Sequence, residues 1–173
     1  IAGQRNEAQY IDRGVQLLIE SQKAGRRIDK ETDHAAKRRL MREAIPWRAG
    51  LLMKRSLLRR ERNDSNRGWR LFQLAFVLSH LPTFVSRMTE FKTWHDPELD
   101  ETSASLLYFP TGGGKSEAFY GSLLFAMFLD RLRGKNRGVT AMIRYPLRLL
   151  TLQQAQRLLR LLVQAELVRK EEK

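Results

Sequence analysis

Thr111-Gly112-Gly113-Gly114-Lys115-Ser116 is the stretch whose residue types and spacing suit phosphate chemistry. Three consecutive glycines let backbone N–H groups turn inward around phosphate oxygens, because no Cβ obstructs the turn. Lys115 can set its ammonium against the β- and γ-phosphates of a nucleotide, and the Ser116 hydroxyl can ligate Mg²⁺. A helix starting here would add the positive end of its dipole. The residues expected to hold phosphates and metal are Thr111, Gly112, Gly113, Gly114, Lys115 and Ser116, with Lys115 as the catalytic cation. The general P-loop pattern asks for glycine where Phe109 stands, so the match is imperfect.

Such a loop works only between a strand and a helix. Ser105-Leu106-Leu107-Tyr108-Phe109 reads as a buried strand and Glu117 to Leu132 as a buried helix. After a basic turn from Arg131 to Gly138, Gly138 to Tyr145 reads as a second strand that ends at Pro146. Leu149 to about Lys170 reads as an amphipathic helix, with Leu152, Ala155, Leu158, Leu159 and Leu162 inside. Strand, helix, strand, helix predicts an α/β fold with parallel strands and right-handed crossovers.

The chain before the loop is helical in pattern. Ile11, Val15 and Leu18 place a helix over residues 4 to 24, with Gly25 ending it. Thr32 or Asp33 suits the cap of a second helix through about Glu43. Pro46 suits the first turn of a third, with Trp47, Leu51 and Leu58 on one side. Residues 63 to 68 read as a loop. Trp69 to Leu81 reads as a buried helix that stops before Pro82. Gln73 falls inside it, where a buried amide must find hydrogen bonds; an adenine edge could supply them, as could solvent at the helix start. Residues 82 to 104 look irregular. His34, His80 and His95 have no metal-ligand spacing and read as structural. Two domains are expected: a basic helical region over residues 1–66 and a nucleotide-binding part over 67–173.

A chain of 173 residues with 42% hydrophobic content can bury a sizeable core. It has no cysteine, which excludes disulfides and cysteine zinc sites. The absence of a leader-like or membrane-spanning run gives the cytoplasm as the expected compartment and no membrane partner. A first residue Ile1 suggests a piece of something longer. The net charge of +13 favours polyanions, with nucleic acid as the first candidate and an anionic membrane surface as the weaker one. Arg38, Arg39, Arg42, Lys54, Arg55, Arg59 and Arg60 crowd the first third; they read equally well as an arm against nucleic acid or as solvated helix faces.

Three pieces together resemble superfamily 2 helicases and translocases. Arg70-Leu71-Phe72-Gln73 is similar to their R-x-x-Q element, and Thr111 to Ser116 to motif I, T-G-x-G-K-[ST]. Pro146-Leu147-Arg148-Leu149-Leu150-Thr151-Leu152-Gln153 is similar to motif Ia, P-T-R-x-L-x-x-Q, with Leu147 replacing Thr. Phe72 to Phe76, Phe109 to Ala118 and Arg144 to Gln154 resemble more narrowly the helicase-like DrmA family of bacterial DISARM anti-phage systems. The resemblance implies a partial RecA-like domain in an ATP- and Mg²⁺-dependent nucleic-acid motor, with the remainder of the motor and a DrmB protein as partners. By position it implies adenine contact at Gln73, support from Arg70, and nucleic-acid backbone contact at Arg148 and Thr151. No D-E-x-H box follows residue 153, and Asp100-Glu101 precedes the loop, which is the wrong order; hydrolysis needs that acid and an arginine finger. The chain alone is therefore expected to be inactive. The competing readings are a P-loop ATPase of another class, or a non-enzymatic basic scaffold with a vestigial loop.

Overall fold

The computed structural model describes residues 2–61, 68–110, 114–145 and 148–172. Six α-helices carry the fold: α1 Ala2–Arg27, α2 His34–Glu43, α3 Ile45–Glu61, α4 Leu71–Val85, α5 Lys115–Leu132 and α6 Arg148–Glu171. Among the described residues there is no strand and no sheet. The expectation of an α/β, RecA-like parallel-strand domain is therefore overturned.

The two segments read as strands show why. Residues 103–110 and 139–145 contain no regular secondary structure. Leu106 is 90% exposed, Tyr108 91%, Val139 75% and Met142 82%. Apolar and β-branched runs favour a strand, but a strand persists only with a neighbour to complete its ladder. Side chains hold the two segments instead. Phe109 stacks on Phe72 with centroids 4.0 Å apart, Ser105 Oγ lies 2.7 Å from His80 Nε2, and Thr140 Oγ1 donates to Asp130.

The core joins helices from both ends of the chain. Leu17, Ile45, Ala49, Leu52 and Leu57 from α1 and α3 meet Val77, Leu81 and Val85 from α4, Leu124, Phe125 and Phe128 from α5, and Leu161 and Val168 from α6. α1 packs against α4, while α3 packs against both α5 and α6. Arg55 pairs with Glu171 and Glu172 and Arg59 with Glu171, tying α3 to the end of α6.

Several helix boundaries differ from the sequence reading. Gly25 does not end α1; it lies 3.6 Å, by an added Cβ, from the Ala44 methyl, an ordinary contact inside the last turn. Asp33, as expected, caps α2, its carboxylate accepting from Ala36 N at 2.7 Å. On α3 the buried stripe is Ile45, Ala49, Leu52 and Ser56, while Leu51 and Leu58 face outward. On α6 it is Gln154, Leu161, Ala165 and Val168, while Leu152, Leu159, Val163 and Leu167 are exposed. Leucine recurs on every side of α6, so periodicity alone cannot choose the buried face.

α4 runs through Pro82 to Val85. Proline has no N–H for the carbonyl four residues earlier, that of Leu78. That carbonyl lies where α1 crosses: a Cβ built on Gly14 would stand 1.9 Å from Leu78 O. Glycine at this crossing lets the two backbones meet and covers the freed acceptor. Residues 82–104, expected to be irregular, hold this last helical turn, a 3₁₀ segment Thr89–Trp94 and a π-turn Glu98–Thr102. Arg13 of α1 donates to Trp94 O at 2.9 Å and pairs with Asp96 at 3.3 Å, holding that region down.

Candidate functional site

The glycine loop ends on α5. Gly114 stands before its first residue with φ +88°, a backbone that L side chains rarely adopt. A Cβ there would come within 2.6 Å of Gln73 Nε2 and would displace that amide. Thr111, Gly112 and Gly113 lie outside the described residues. Lys115 begins the helix, and its Nζ donates to Phe109 O and, at 3.3 Å, to Pro110 O. The ammonium thus folds back onto the carbonyls that lead into the loop, and Lys115 is half-buried. Ser116 follows in the first turn, also half-buried.

For a nucleotide phosphate the described donors fit: a lysine beside a left-handed glycine, at the N-terminus of an 18-residue helix. Ser116 is the one hydroxyl in that first turn. No group of three or more His, Cys, Asp or Glu gathers at metal-holding distance among the described residues. A cation here would take its other oxygens from phosphate and water.

Gln73 is 5% exposed, and both ends of its amide are engaged within the chain. Its Oε1 accepts from Arg70 N at 2.8 Å and its Nε2 donates to Gly114 O at 2.9 Å. Arg70 occupies the cap position of α4 with extended backbone, so Gln73 completes that cap by its side chain. One residue therefore fastens the start of α4 to the end of the glycine loop. Gln73→Ala is expected to lower stability by about 1–3 kcal/mol, since it removes the buried amide that bridges the part-buried Arg70 N–H and Gly114 C=O. A urea midpoint unchanged from wild type would refute this.

Arg148 is the first residue of α6 and Thr151 lies in its first turn. The turn before it, Pro146 and Leu147, lies outside the described residues. No strand delivers Arg148 to this position among the described residues; segment 139–145 does, and that segment is fastened by Asp130.

Asp130, 8% exposed, is a residue the sequence reading passed over. Its carboxylate accepts from Lys135 Nζ and Thr140 Oγ1, both at 2.8 Å, and pairs with Arg133 at 2.7 Å. Burial pushes its pKa up; the Lys135 and Thr140 hydrogen bonds and the Arg133 charge outweigh this and hold it below the ordinary carboxylate value. An acid in the last turn of α5, followed by cations three and five residues on, was the legible sign.

Tyr120 and Gln154 were also passed over. The Tyr120 hydroxyl donates to Gln154 Oε1 at 2.5 Å and lies 3.3 Å from Gln154 O, joining α5 to α6. Burial pushes the phenol pKa well above its usual range, with Tyr145 beside it adding to the rise. Glu117, directly after Ser116, pairs with Arg157. His80 Nδ1 sits 2.7 Å from Phe76 O, and His95 lies against Asp100 and Glu101.

The described residues thus define a helical unit with a left-handed glycine and a lysine at the head of a buried helix. The chain is similar to the DISARM protein DrmA of Bacillus paralicheniformis, with 38% identity over 123 residues, 67% of this chain and 10% of that protein. It therefore spans about a tenth of its relative's length. No protein-family model matches the chain, and no solved structure does. No helix among the described residues is long and apolar enough to cross a membrane.

Proposed function

We propose that this chain is the nucleotide-binding part of a DrmA-like component of a DISARM anti-phage system, in which ATP hydrolysis drives movement on nucleic acid. The observation that carries the nucleotide half of this reading is the junction at Gly114 and Lys115, where a left-handed glycine and a lysine meet the N-terminus of α5. The likeness to DrmA supports the defence context. The charge of +13 supports a polyanionic partner, and the anti-phage context favours DNA over RNA as that partner. A DrmB-type protein and the rest of the motor are the protein partners this reading calls for.

On phosphate binding Lys115 would leave Phe109 O and Pro110 O for phosphate oxygens, with Thr111 to Gly114 supplying backbone N–H groups and Ser116 reaching Mg²⁺. Bound nucleotide supplies the phosphoanhydride whose cleavage releases the energy. For Gln73 to read adenine, its amide must exchange Gly114 O or Arg70 N for the base, so base recognition and loop release become one event. Arg70 flanks that event. Arg148 and Thr151 suit backbone phosphates, because a motor that steps along any sequence needs positive charge and donors rather than base readers. Free N–H groups at the start of α6 add to this.

Arg148→Ala tests the nucleic-acid half. Loss of one phosphate contact lowers the slope of log affinity against log salt by about one unit and weakens binding across all sequences alike. A variant whose melting temperature falls while slope and affinity stay at wild-type values would show Arg148 to be a structural anchor. Competition between ATP and an ATP analogue for the intact protein, abolished by a Lys115 substitution, tests the nucleotide half.

A further inference from the structure

His80 of α4 and Ser105 of segment 103–110 meet away from the glycine and lysine that head α5. His80 Nδ1 lies 2.7 Å from Phe76 O and 3.1 Å from Ser79 Oγ. A carbonyl oxygen only accepts. The Ser79 hydroxyl donates its one proton to the same carbonyl, at 2.9 Å, so toward the ring it accepts as well. Both neighbours therefore call for a proton on Nδ1. In the neutral ring this leaves a lone pair on Nε2, and that atom faces Ser105 Oγ at 2.7 Å. The Phe76 ring lies against the imidazole, with centroids 4.3 Å apart, and restricts its rotation.

A nucleophile within hydrogen-bond reach of a base, with the base turned by a third group, is the arrangement that activates a serine. A backbone carbonyl stands here where a carboxylate stands in the Ser-His-Asp triad. It fixes the tautomer but stabilises the imidazolium less, so turnover is slow by comparison. Ser105 is exposed and open to a substrate. Among the described residues no backbone carbonyl takes up the Leu106 N–H. The residue after the nucleophile is where hydrolases of the nucleophile-elbow kind place an oxyanion donor. Phe76 continues edge-on to Phe119, 49% exposed, at 5.2 Å, so apolar surface adjoins the base. Ser103, two residues earlier and also exposed, has no such base: its hydroxyl donates to Glu98 O at 2.7 Å.

We propose that Ser105 and His80 form a nucleophile–base dyad that hydrolyses small carboxylic esters with an apolar acyl group. The Ser105 oxygen attacks the ester carbonyl carbon as its proton passes to His80 Nε2. The bond from that carbon to the alcohol oxygen breaks, and the alcohol leaves with the proton. Water then attacks the acyl-serine, gives a proton to Nε2, and releases the acid while the proton returns to Ser105. Ester and water become acid and alcohol, with no further reactant. Phe76 and Ser79 act as positioning residues.

The experiment treats the intact protein, without nucleotide, with an alkyl fluorophosphonate, from which an activated serine displaces fluoride. Peptide mass spectrometry locates the modified serines. Ser103 is the reference within the same chain. Ser105 should be modified at least about a hundredfold faster than Ser103, the range of general-base assistance. His80→Gln removes the base and should bring Ser105 down to the rate of Ser103. Hydrolysis of p-nitrophenyl acetate should fall to background in Ser105→Ala, an exposed position where the change opens no core. Equal modification of Ser103 and Ser105 in the wild type overturns the proposal and needs no variant to fold. So does a His80→Gln protein in which Ser105 stays fast, because the contact is then only a tether for segment 103–110. Wild-type ester hydrolysis no faster than that of Ser105→Ala overturns it as well.

Discussion

Lys115→Ala is expected to lower ATP turnover of the intact protein by at least about a hundredfold, the effect of deleting one charged donor aimed at a reacting centre. Its stability should barely move. The ammonium of Lys115 donates to Phe109 O and Pro110 O, and its loss leaves those carbonyls to water instead of opening a cavity. The split between a large kinetic effect and a small thermodynamic one is the signature sought. Phosphate release and the melting temperature are measured on the same preparation. Near wild-type turnover in a folded variant would show that the glycine loop is not the working site.

The second large effect is on stability. Gly14→Val is expected to destabilise the fold by about 3 kcal/mol, lowering the melting temperature by roughly 10 °C. The new Cβ would stand 1.9 Å from Leu78 O, and that atom is backbone, so no rotamer change relieves the clash. α1 and α4 must separate, and the Leu78 carbonyl, already without its helical partner because of Pro82, loses its cover. Gly25→Ala on the same helix is the control. Its added methyl meets only the Ala44 methyl at 3.6 Å, so it should raise stability by about 0.5 kcal/mol through helix propensity. Equal melting temperatures for Gly14→Val and wild type would mean that the crossing is looser than described.

The helices were largely legible in the sequence, and the sheet was not there to be read. The Asp33 cap, the α2 span and the buried α5 follow from local rules, since a capping carboxylate and an apolar run act within a turn or two of themselves. The strands at 105–109 and 138–145 failed because ladder pairing belongs to the neighbour, and Leu106 and Met142 say nothing of who that neighbour is. The continuation of α4 past Pro82 was hidden for a related reason: it depends on Gly14, 64 positions before Leu78. At the site, the glycine loop and its lysine were visible as a motif. The engagement of Gln73 by Arg70 N and Gly114 O was not, because a buried glutamine announces only that it has partners. Tyr120 and Gln154 were invisible separately, their meaning lying in the contact between them.

The exposed stripe of α6 gives the chain an awkward colloidal character. Leu152, Leu159, Val163 and Leu167 face water on one side of a molecule that carries a charge of +13. At low ionic strength like-charge repulsion keeps copies apart over about 10 Å or more, which is farther than the apolar stripe can act. Added salt shortens that range and lets the leucines meet, and warming strengthens their attraction from its cold minimum. The dispersed chain is therefore expected in cold, dilute buffer, and a turbid one on warming in molar sulfate, the reverse of a protein that salt dissolves.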